Sequence, residues 1–113
     1  MRLIFVILTI LAGCLQAQII DVSTGSRCTA TFSPSTSATD VQIDCTYQSK
    51  PVLSGAKVNL AAITGNTSGF VIGFSTGSDS VTILLKRATA TGPLHVEAAV
   101  NGTQTANKDI PVP

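Results

Sequence analysis

The chain has 113 residues, and its seven basic and six acidic side chains leave a net charge of +1. That length suits one domain. A balanced charge without long runs of either sign gives no electrostatic basis for binding nucleic acid or a strongly anionic surface. With no tryptophan, four phenylalanines and one tyrosine, the core must be built mostly from aliphatic side chains, which leaves a small domain little margin of stability.

The first element is apolar. Met1-Arg2 supplies one positive charge, and Leu3 to Leu15 then run almost without a polar residue. Thirteen residues are too few for a membrane-spanning helix, which needs roughly 20, but they fit the apolar region of a secretory signal peptide. Leu15-Gln16-Ala17 places a small residue before the expected cut, so residues 1–17 are read as a removed signal and 18–113 as a single all-β domain. Leu11-Ala12-Gly13-Cys14 also resembles the lipobox of bacterial lipoproteins. That resemblance implies cleavage before Cys14, lipid attachment to it and a membrane-anchored domain. On either reading Cys28 and Cys45 are left as a pair, and an even number in an oxidising compartment predicts one disulfide.

From Gln18 onward the apolar residues alternate at period two, the signature of half-buried strands. Arg27 to Ser33 places Cys28, Ala30 and Phe32 on one face, and Asp40 to Tyr47 does the same with Val41, Ile43, Cys45 and Tyr47. A bridge between the two cysteines staples these strands as a first hairpin. A strand over Lys57 to Ile63 carries Val58, Leu60 and Ala62 inward. Phe70, Ile72 and Phe74 are read as core residues of a central strand, with the lining of a ligand cavity as the lesser reading. Val81, Ile83 and Leu85, then Val96, Ala98 and Val100, share faces further on. Turn formers separate these runs at Pro34 to Ser37, Ser54-Gly55, Gly65 to Gly69, Thr76 to Asp79 and Thr91 to Pro93. Asn101-Gly102 is the strongest hairpin signal, because both residues tolerate positive φ. A last strand, Thr103 to Ile110, runs into Pro111 and Pro113, which marks an edge or a tail.

Six to eight short strands at this spacing predict a small antiparallel β-sandwich, with a small β-barrel as the alternative. The pattern resembles the immunoglobulin-like sandwich in architecture alone, since no tryptophan lies between the cysteines and their spacing is much narrower. No residue role follows from that resemblance.

Chemistry-bearing residues are few. His95 is the sole histidine and falls on the polar face of its strand beside Glu97, where solvation is the expected role. Asp40 and Asp44 share an outward face about 13 Å apart at the usual rise, too far to share a metal or a proton. Asp79 sits in a turn, where aspartate commonly bonds backbone. Lys86-Arg87 ends an apolar strand and reads as an exposed guard against edge pairing, with contact to an acidic partner as the lesser reading. No catalytic residue, cofactor or metal site is expected. Asn66-Thr67-Ser68 and Asn101-Gly102-Thr103 are N-glycosylation sequons in turns. These features predict a secreted, monomeric, non-catalytic module that binds an extracellular protein or glycan, a secreted effector being one form of it. A structural or assembly subunit of the cell surface or matrix, and a small carrier of apolar ligands, are the two alternatives.

Overall fold

The computed structural model describes residues 17–113; the apolar segment read as an export signal, with Cys14 in it, lies outside the described residues except for Ala17. Eight strands form two four-stranded antiparallel sheets that pack face to face. The first contains β1 (Gln18–Ser23), β2 (Ser26–Ser33), β3 (Asp40–Tyr47) and β4 (Lys50–Asn59). A single helical turn, α1 (Leu60–Ile63), leads to the second, made of β5 (Phe70–Thr76), β6 (Asp79–Lys86), β7 (Leu94–Val100) and β8 (Thr103–Ile110). In each sheet the spatial order equals the chain order. The sandwich and its strand count match the sequence expectation. Its connectivity is two successive meanders, without the exchange of strands between sheets that an immunoglobulin domain shows.

Period-two alternation fixes which faces meet. Ile20 and Val22 of β1, Cys28 and Ala30 of β2, and Val41, Ile43 and Cys45 of β3 are buried against Val81, Ile83 and Leu85 of β6 and Leu94, Val96 and Ala98 of β7. Cys28 lies directly opposite Cys45 in the β2–β3 ladder, and the two form the predicted disulfide across a Cα–Cα distance of 4.0 Å. The stapled hairpin is the second, because β1 precedes it. This strand escaped the sequence reading, its paired Ile19-Ile20 obscuring the alternation.

Three further expectations are corrected. Ser54-Gly55 is no turn but an irregularity inside β4, where Gly55 has φ +71° and its N–H donates to Asp44 Oδ1 at 2.7 Å. The strand expected over Lys57 to Ile63 stops at Asn59, whose Oδ1 accepts from the Ala62 N–H at 3.2 Å and caps α1. That turn buries Leu60 and Ile63 and leaves Ala62 exposed. Finally, Phe70, Ile72 and Phe74 belong to an edge strand, not a central one: they point to the core side, but Phe70 remains 44% exposed because β5 pairs with β6 alone among the described residues.

The two tight turns with positive φ at both central residues are Gln48-Ser49 and Asn101-Gly102, the twist that suits hairpins. Only the second was legible from residue type. Across one seam between the sheets, Lys108 of β8 donates from Nζ to the Ile19 carbonyl of β1 at 2.9 Å. The opposite seam, between β4 and β5, is spanned through α1 and the following loop.

The cross-link closes a loop of sixteen residues between Cys28 and Cys45, a constraint on the unfolded chain worth about 3 kcal/mol. Urea unfolding with and without reductant is expected to show a loss of about that size. Equal midpoints in the two conditions would refute the role.

Candidate functional site

On β7 the inward alternation of Leu94, Val96 and Ala98 leaves His95 and Glu97 on the outer face of the second sheet. Across the ladders His95 lies opposite Lys86 on β6 and Asp109 on β8. The imidazole is held on both sides: Nδ1 is 2.6 Å from Asp109 Oδ1 and Nε2 is 2.8 Å from Glu97 Oε2. A neutral imidazole has one N–H, so only the doubly protonated ring can donate to both carboxylates. The hydrogen bond to Asp109, and after it that to Glu97, raises the His95 pKa above its ordinary 6.5, with partial burial working the other way. When protonated, His95 is the cation of a three-member ion cluster, with Lys86 opposite it on β6. Its role exceeds the solvated histidine expected from sequence.

This arrangement limits the chemistry available. With both ring nitrogens engaged by carboxylates, His95 presents neither a free lone pair to accept a proton nor an open position for a metal. The histidine and carboxylates flank one another instead of converging on a point, and no group of three or more metal-ligating side chains is found among the described residues. A cleft of about 390 Å³ adjoins the cluster, lined by Asn66, Thr67, Lys86, Arg87 and His95 among others.

Arg87 corrects the reading of Lys86-Arg87 as an exposed guard. It is only 9% exposed; its Nε donates to the Gly92 carbonyl at 3.0 Å, and its own carbonyl accepts from the Gly65 N–H at 2.7 Å. It ties the Gly65 loop to the segment after β6. Lys86 alone remains at the surface of the cleft.

The other candidates stay apart. Asp40 accepts from Thr39 Oγ1 at 3.1 Å and Asn59 Nδ2 at 3.4 Å, while Asp44 accepts from Gly55 and from Gln42 Nε2 at 2.9 Å. Both carboxylates fasten β3 to its surroundings. Asp79 accepts from Asn101 Nδ2 at 2.9 Å, and Asn101 Oδ1 accepts from the Ser80 N–H at 2.9 Å. One asparagine thus joins two hairpin ends. Asn66 is exposed, and its Oδ1 accepts from the Ser68 N–H at 2.9 Å.

Asp109 was missed as the partner of His95. Counting back from the Asn101-Gly102 turn, an unbroken ladder would set His95 against Lys108. A bulge after Thr103 and Gln104, between Ala98 and Ala99 on the partner strand, shifts the register by one and brings Asp109 into place. The turn signal was readable, whereas the bulge left no mark in residue type.

A raised folded-state pKa stabilises the protein fully below the unfolded value of 6.5, and this contribution is lost as pH rises through the folded value. Stability is expected to fall across that window in the wild type and to change less in His95→Gln. An NMR titration should place His95 above 6.5 and show it lowered in Asp109→Asn; a wild-type midpoint at or below 6.5 would contradict the assignment. Compared with protein-family models, curated proteins and solved structures, the chain finds no match in any of the three.

Proposed function

We propose that this protein is an exported, non-catalytic binding module that uses the outer face of its second sheet to hold an extracellular protein. The observation that carries this reading is the Glu97–His95–Asp109 cluster: a fixed charge pattern on rigid strands, with both ring nitrogens already committed. Such a patch recognises complementary charge and fixes orientation, and it has no spare group for turnover. Lys86 and the adjoining cleft extend the patch and give it relief. A protein partner suits it better than a glycan, because the charged groups are spread over three strands instead of gathered around one sugar-sized pocket.

Export is supported by the apolar leader of the sequence and by a disulfide, which persists in oxidising compartments. No helix among the described residues is long and apolar enough to cross a membrane. On this reading Asn66 is the better glycan acceptor, since the amide nitrogen of Asn101 is already bonded to Asp79. The carrier alternative gains nothing from the interior, where Val41, Ile43, Val81, Ile83, Leu94 and Val96 fill the space between the sheets at 0% exposure.

The test is capture of extracellular proteins by the disulfide-intact protein, followed by binding measurements with Lys86→Glu. Reversing this charge is expected to weaken the captured complex about ten-fold, near 1.4 kcal/mol. Capture of glycans alone would replace the partner class. Hydrolysis of a broad substrate panel that disappears in His95→Ala would overturn the reading.

A further inference from the structure

Two separate sheets have four edge strands, and each edge exposes backbone groups able to pair with another chain. Three are visibly obstructed. On β1 the Ile19 carbonyl is taken by Lys108, and the ladder is irregular between Asp21 and Ser23. On β4 stand Lys50, Pro51 and Lys57, with the Gly55 irregularity among them. On β8 the bulge turns Lys108 toward the core side, and Asp109 is charged as well. The fourth, β5, reads Phe-Val-Ile-Gly-Phe-Ser-Thr, with no charge, no proline and an unbroken ladder to β6. It also holds two of the three large apolar residues left exposed among the described residues, Phe70 at 44% and Val71 at 57%.

We propose that β5 is a self-association edge, through which two copies pair antiparallel and join their second sheets into one eight-stranded sheet. The two-residue turn Gly77-Ser78 closes β5 onto β6 with Thr76 opposite Asp79. Ladder alternation from that hydrogen-bonded pair leaves the N–H and C=O of Val71, Gly73 and Ser75 directed away from β6. A two-fold axis at Ile72 then sets Val71 of each copy against Gly73 of the other. The exposed valine packs over the position that lacks a side chain. In the same register Phe70 of each copy lies against Phe74 of the other, a cross-strand aromatic pair.

The strand is thus complementary to itself in shape, and its lack of charge removes the repulsion that like strands would otherwise feel. This is why a second copy is the occupant, in preference to an unrelated peptide. The contact is isologous, so it closes at two copies. It replaces the monomer expected from sequence. The inference does not depend on the outer-face reading: the pairing needs no external partner, and Lys86 plays no part in it.

Sedimentation of the purified, disulfide-intact protein from micromolar to millimolar concentration tests it. The expected result is a reversible rise from the mass of one copy to that of two. Val71→Lys should stay at one copy throughout, with the wild-type melting temperature at micromolar concentration, where both are single copies and position 71 is exposed, and Ile19→Lys on β1 should dimerise like the wild type. Ile72→Cys, whose side chain meets its own counterpart at the axis, should cross-link to a dimer under mild oxidation. A one-copy mass at every concentration, growth beyond two copies, undiminished dimerisation of Val71→Lys, or no cross-link through position 72 would overturn the proposal.

Discussion

A covalent link between directly opposed residues permits β2 and β3 only one register, and the inner face of the first sheet follows from it. With Cys28 against Cys45, Ala30 must meet Ile43 and Phe32 must meet Val41. A slip of one residue would turn each of these side chains to solvent. The second sheet has no such bond. Its register rests on two short turns and on Val81, Ile83 and Leu85 interlocking with Val100, Ala98 and Val96. Packing the second sheet on the cross-linked one gives both a common core without tryptophan.

Much of this was legible from period two alone. The alternation in β2, β3, β6 and β7 identified the inward residues directly, because each of these strands is buried on one face and wet on the other. Where that condition fails, the signal fails. In β5 the pattern names the correct face, but alternation does not say whether a strand has one neighbour or two, so it places Phe70 in the core. At Leu60 to Ile63, Val58, Leu60 and Ala62 fit a strand, while the burial of Leu60 and Ile63 at a spacing of three fits a helical turn. So short an apolar run is ambiguous between them. The asparagine cap decided it.

The candidate site was half readable. His95 and Glu97 sit two apart on one strand, so their shared face is a property of sequence. Asp109 comes from the neighbouring strand, and its arrival depends on the extra residue in β8. That same residue directs Lys108 inward, where it reaches β1. One bulge therefore brings the third member to the ion cluster and closes the seam between the sheets. Arg87 shows the converse: a charged residue at a strand end was expected in water, yet its guanidinium and carbonyl secure two loops.

The meander order has a consequence for how the molecule assembles. Every ladder joins strands that are neighbours in the chain, and the two sheets occupy consecutive halves of it. The chain can therefore complete the first sheet, including the contact between its cysteines, while the second half is still being synthesised. Within each sheet every new strand then adds to the edge of the strand before it, which avoids the loop-closure cost of pairing distant segments. A chain delivered end first, by a ribosome or through a translocation pore, meets its native neighbours in the order in which they emerge.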